Sequence, residues 1–190
     1  MRPATVRRRL LRVGLLAFLL VQAPPGRVAG EFRQTPDHLA LSTPEAAWEV
    51  ILPGLGFTLQ AAGPRRAGRG HYYFFTHAAT GLNVSCTLEP ASRCTTGREC
   101  RDAFWRDPPP ATQPAAAVRF VEVNGFAAVE FLVPEFQGVP VRQLNLVAHQ
   151  VRDGTVVTLH ISKAQFASED RATFLRYLEE VQFAPKPRAP

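Results

Sequence analysis

The chain carries no catalytic signature. It has no G-x-S-x-G elbow, no H-E-x-x-H zinc motif, no glycine-rich phosphate loop and no aspartate cluster of calcium-binding type. The usual hydrolase, metalloprotease, nucleotide-binding and calcium-loop readings therefore have nothing to rest on. Cysteine is scarce, with three residues in 190, all between Cys86 and Cys100. Internal repeats are missing. Beyond residue 30 no apolar run reaches the roughly 20 residues that a helix needs to cross a bilayer core of about 30 Å.

An excess of basic charge is absent too, although the total suggests one. The whole chain is formally +6, which by itself invites a nucleic-acid reading. Residues 1–30 hold six arginines (Arg2, Arg7, Arg8, Arg9, Arg12 and Arg27) and no acid. Without them, 16 basic residues stand against 16 acidic ones, so the expected mature chain is neutral and presents no phosphate-binding surface. The same thirty residues read as a secretory leader. MRPATVRRRLLR is basic, VGLLAFLLVQA is a short apolar stretch, and PPGRVAG places small residues Val28 and Gly30 before a cleavage that leaves Glu31 first. Arg7-Arg8-x-Leu10-Leu11 also fits a twin-arginine export signal, with an ordinary basic leader as the alternative. The expected organisation is a leader over 1–30, one domain over 31–184 and a disordered Pro-rich tail over 185–190. The expected location is exported, either periplasmic or secreted.

What remains reads mainly as strands. HYYFFTH is aromatic and β-prone, and in GLNVSCTLE the residues Leu82, Val84, Cys86 and Leu88 alternate with polar ones. AAVRFVEVNGFAAVEFLVP reads as a hairpin about Asn124-Gly125, and VRQLNLVAHQVRDGTVVTLHIS as a second about Asp153-Gly154. Such pairs favour the left-handed turns that match strand twist. A two-residue turn fixes register: Val123 faces Phe126, Val121 faces Ala128 and Arg119 faces Glu130. In the second hairpin, Ala148 faces Leu159, Leu146 faces Ile161, His149 faces Thr158 and Val147 faces His160. WEVILPGLGFTLQ predicts two short strands around Pro53-Gly54, although STPEAAW also suits the opening of a helix. A helix capped by Thr95 or Thr96 is expected over TTGRECRDAFWR. A second is expected over SEDRATFLRYLEEVQF, with Ser168 as its N-cap and Phe174, Leu175, Leu178 and Val181 as its apolar stripe.

Cys86 lies in phase with the apolar face of its strand, which suits a small buried hydrophobe. Cys94 and Cys100 bracket a helix start with five residues between them. In an oxidising compartment that spacing suits a disulfide. Cysteine spacings of seven and five are not those of a zinc knuckle. Cys100 has the helix dipole, Arg98 and Arg101 nearby but no evident base, so a nucleophilic role has less to support it.

Two further constellations stand out. His149 and His160 share one sheet face, diagonal across the second hairpin, where Cβ atoms approach to about 7 Å. With Asn145, Thr158 and Ser162 on that face and Lys163 just beyond it, two imidazoles could hold one ligand. An ordinary polar sheet face is the plainer reading, since no third metal ligand is evident. VPEFQGVPV reads as a stiff loop that exposes Glu135 and Phe136 at its bend, where an exposed aromatic can act as a contact point.

The order of these elements, with the helix bearing CRDAFW, VNGFAAVEFLVPEFQGVPV, DGTVVTLHISK and the closing EDRATFLRYLEEVQF, resembles the PsbP-like family, whose fold is also that of a nuclear-transport factor binding the GTPase Ran. The likeness covers about Trp48 to Phe183. It implies an α+β domain: an antiparallel β-sheet flanked by helices on both faces, an α/β/α sandwich. It also implies a non-enzymatic partner of a larger assembly, and no functional motif of the family transfers residue by residue. The expectation is an exported, non-catalytic binding or accessory protein acting on another protein or envelope component. It needs no cofactor or metal and contacts no nucleic acid. The alternative is a metal-binding protein or enzyme that uses the His149/His160 face.

Overall fold

The computed structural model describes residues 31–64, 70–107 and 116–187. The expected leader lies outside the described residues. The elements in chain order are β1 (Glu31–Gln34), β2 (His38–Ser42), β3 (Trp48–Pro53), β4 (Phe57–Pro64), β5 (His71–His77), β6 (Leu82–Pro90), α1 (Gly97–Arg106), β7 (Ala116–Val123), β8 (Phe126–Phe136), β9 (Val139–Arg152), β10 (Thr155–Lys163), α2 (Asp170–Glu179) and β11 (Gln182–Pro185). Both sheets are antiparallel. One has seven strands in the order β4-β5-β6-β10-β9-β8-β7, and the other four in the order β1-β2-β3-β11.

The seven-stranded sheet meets the expectation of one large antiparallel sheet; the second sheet corrects it. Trp48, Val50 and Leu52 do alternate inward on β3, and a strand does follow Gly54. However, β3 and β4 belong to different sheets, and β3 pairs with β2 and β11 instead. Residues 43–47 form turns rather than a helix. Among the described residues there are two helices, so much of the apolar face of the large sheet is covered by strands. The main core joins Leu39, Leu41, Val50 and Leu52 of the small sheet to Phe75, Val84, Leu88, Leu146, Leu159 and Ile161 of the large one, together with Phe174 and Leu178 of α2.

Polar links fasten the two sheets. The Tyr73 hydroxyl donates to the carbonyls of Ser42 at 3.1 Å and Glu31 at 3.2 Å. Tyr177 of α2 donates to the carbonyl of Pro53 at 3.0 Å. The Arg152 guanidinium lies 5.0 Å from the Phe183 ring centre, a cation–π contact from β9 to β11. β11 carries order into the stretch expected to be a loose tail. The Lys186 amide donates to the carbonyl of Ala47 and its ammonium pairs with Glu31 at 2.9 Å. Residues 188–190 lie outside the described residues.

Both expected hairpins have the expected register, including Arg119 opposite Glu130 and His149 opposite Thr158. Asn124 and Asp153 take the left-handed φ values of 52° and 45° that such turns require. The stretch 133–141 is not a loop, as had been expected. β8 and β9 continue through it and close on Gln137-Gly138, also left-handed, with Phe136 opposite Val139. Pro134 fits because it falls at the irregularity between Val133 and Glu135, beyond the last pairing of β8 with β7 at Leu132. Ser168 is not the cap of α2. The helix starts at Asp170, whose own carboxylate accepts the Ala167 amide at 2.9 Å.

Candidate functional site

The face of the large sheet that carries the two histidines is built beneath α1. Thr96 caps that helix by accepting the Glu99 amide at 3.2 Å, and the Glu99 carboxylate reaches back past it to accept the Thr95 amide at 2.8 Å. The Cys94–Cys100 disulfide closes the same turn. Gly97 allows the close approach, since a Cβ there would overlap the His149 carbonyl. Phe104 and Trp105 then pack on Val129, Phe131, Val133 and Val147, a cluster apart from the main core.

His149 is 5% exposed beneath this helix, with its ring 5.6 Å from that of Phe104. Its Nδ1 is 3.0 Å from the Thr158 hydroxyl, and its Nε2 is buried with no hydrogen-bond partner. Burial, reinforced by the nearby Arg101 charge, lowers its pKa to about 4. His160 Nε2 lies 3.0 Å from the Asn145 side-chain oxygen, and desolvation likewise lowers its pKa to about 4. Both imidazoles are therefore neutral at pH 7. The register puts them on one face, as the sequence predicts, but each has its own polar partner. Among the described residues, no group of three or more His, Cys, Asp or Glu side chains is placed to hold a metal ion.

Asn145 belongs to this face through His160 and through Gln143, which donates to it at 2.7 Å. Lys163 does not. It lies on the same face of β10 as Ile161 and pairs with Asp170 of α2 at 2.6 Å, on the main-core side. Glu135 and Phe136 lie at the far end of β8 and β9, about 30 Å along the strand from His149 at roughly 3.4 Å per residue. The expected site residues thus fall in three places.

The hairpin tip is the most exposed apolar feature among them. Phe136 is 43% and Val139 60% exposed, side by side across the turn. Val141, two residues further along β9, packs against the cluster under α1. Phe120 on the edge strand β7 is also exposed, with Trp105 edge-on to its ring and Arg101 5.0 Å from its centre.

Two other features have no counterpart in the sequence reading. Glu130 is 3% exposed and pairs with Arg171 of α2 at 2.8 Å, not with Arg119 opposite it in register. A cleft of about 530 Å³ opens between the Thr43–Trp48 connection, the end of β6 and the Asp153-Gly154 turn, lined by Glu45, Glu89 and Asp153. Three segments far apart in the chain build it, so no local motif signals it.

The Cys94–Cys100 bond is present as expected, and Cys86 is the free, buried thiol, with its pKa pushed far up by burial. No helix among the described residues is long and apolar enough to cross a membrane. No family model matches the chain, and no curated protein does. Among solved structures the chain is similar to the solution structure of cyanobacterial PsbP (CyanoP) from Synechocystis sp. PCC 6803, at 14% identity and a TM-score of 0.47, covering 88% of this chain and 99% of that one.

Proposed function

We propose that this chain is an exported, non-catalytic binding or accessory protein, and that it contacts another protein or envelope component through the Glu135–Val139 hairpin tip. The observation that carries the reading is the exposed Phe136–Val139 pair. Neither side chain is needed to bury the core, and an aromatic paired with a β-branched residue on a rigid two-residue turn is a suitable anchor for a partner's pocket. The disulfide supports export, because such bonds persist in oxidising compartments.

The test is site-specific photocrosslinking in the native envelope. A crosslinker at position 136 should capture a discrete partner, and one at Gly81, in the β5–β6 turn, should not. Phe136→Asp with Val139→Asp should abolish capture while leaving the fold intact. Equal capture from both positions, or from the double variant, would remove the reading. The rival, a metal site on the His149/His160 face, would replace it if the purified protein held a stoichiometric transition-metal ion that both His149→Ala and His160→Ala lost.

A further inference from the structure

The helix α1 has little of its own to hold it down. It has ten residues, and isolated helices shorter than about 12–15 residues are marginal in water. Its single fully buried side chain is Cys100, one half of the disulfide; Phe104 and Trp105 are only partly buried. The Arg98–Glu122 ion pair lies at the surface, where such pairs contribute little, and Arg101, although 13% exposed, approaches Glu122 only to 4.0 Å. The cluster beneath it has four buried residues against 24 in the main core, so this is the weaker side of the sheet. The seat is also imperfect: His149 Nε2 is buried there unpartnered, and lifting the helix would return it to water.

The bond itself is asymmetric. Cys94 is partly exposed in the connection that precedes the helix, whereas Cys100 is 4% exposed. The connection is anchored behind Cys94, where the Ala91 amide donates to the Gly154 carbonyl at 2.7 Å. Cys94 is therefore a fixed post and Cys100 the part of the helix tied to it.

We propose that the Cys94–Cys100 disulfide is a redox-operated fastener for α1, and that its two-electron reduction unseats the helix and uncovers the apolar face of Val129, Phe131, Val133 and Val147. The reductant is a dithiol. One of its thiolates attacks the accessible Cys94 sulfur and the Cys100 sulfur leaves as a thiolate. The helix N-terminus and Arg101 favour that anion. The second thiol of the reductant then attacks the mixed disulfide. This releases Cys94, and the reductant departs as its own disulfide. Two electrons and two protons pass to the protein, giving two thiols. Val141 packs at the margin of that face, and the fastener does not depend on what binds at the hairpin tip.

Hydrogen–deuterium exchange on the mature protein tests this, comparing the oxidised form, the form reduced with dithiothreitol, and Cys94→Ser. Cys94→Ser removes the bond yet leaves Cys100 in its seat, so lost packing cannot account for its effect. Amides of residues 100–106 should exchange at least about tenfold faster in both bond-free forms, while β6 and β10 keep their protection. Binding of the dye ANS should rise in parallel. Unchanged protection of α1 in Cys94→Ser or in the reduced protein overturns the proposal. So does a loss of protection that spreads equally to β6 and β10, because the bond would then hold up the whole fold and not one helix.

Discussion

The side-chain amide of Asn124 donates to the carbonyl oxygen of Val181 at 2.7 Å. The same nitrogen lies 3.2 Å from the Leu178 carbonyl and 3.1 Å from that of Glu179. The turn of the β7–β8 hairpin therefore ties onto carbonyls at the end of α2 and just beyond it, of which that of Leu178 also accepts the Val181 amide at 3.4 Å. Asn124 does two jobs, since its left-handed φ of 52° also makes the turn.

Two substitutions separate those jobs. Asn124→Gly keeps the left-handed turn and loses only the cap, so it should cost about 1–2 kcal/mol for unsatisfied carbonyls. Asn124→Ala should cost about 1 kcal/mol more, because Ala resists positive φ. Urea unfolding of both variants reads the difference. Equal stability of Asn124→Gly and the parent would show that the cap contributes nothing.

The Glu130–Arg171 pair should behave as a buried charge pair. Arg171→Ala strands a carboxylate that is 3% exposed, and breaking such a pair from one side costs about 3–5 kcal/mol. Arg119, opposite Glu130 in register but exposed, should be replaceable by Ala at a cost within about 0.5 kcal/mol. If the two variants unfold at the same urea concentration, the ion pair has been assigned to the wrong arginine.

That contrast shows what the sequence could and could not convey. Turn chemistry fixed the register of two hairpins, because Asn124-Gly125 and Asp153-Gly154 can hardly do anything else. It could not show that a helix from far along the chain would bring Arg171 to Glu130. The third hairpin was hidden because Gln137-Gly138 is a weaker turn signal and prolines flank it. Those prolines are tolerated only where the neighbouring strand has ended. The second sheet was hidden because β11 reaches β3 from the other end of the chain, a pairing with no local trace. At the site, alternation placed His149 and His160 on one face, but what covers His149 depends on the docking of α1.

Thiol counting checks the cysteine assignment. Unfolded, non-reduced protein should label at one thiol, Cys86, and at three after reduction. The loop that the bond closes is short, so loss of the bond should not unfold the protein, and the strands of the large sheet should keep their protection. Three labels without reductant would mean that the bond does not form.

The two histidines set the last prediction, a loss of stability in mild acid. Both are neutral in the folded protein, with pKa values lowered to about 4 by burial. In the unfolded chain an imidazole titrates near 6.5. As pH falls below about 6.5 the unfolded state takes up protons that the folded state refuses, so stability declines until pH reaches about 4. At its limit the effect is on the order of 3 kcal/mol per histidine. The carboxylates with lowered values add their share only below their ordinary values, 3.8 for Asp170 and 4.5 for Glu99 and Glu122. The decline between pH 6.5 and 5 is thus the part that His149 and His160 dominate among the groups with shifted values. Urea midpoints at pH 7, 6 and 5 should fall steadily in the parent protein. The fall should be shallower in His149→Gln and in His160→Gln, and shallowest in the double variant. A parent midpoint that stays flat from pH 7 to 5 would show that neither imidazole is held neutral by the fold.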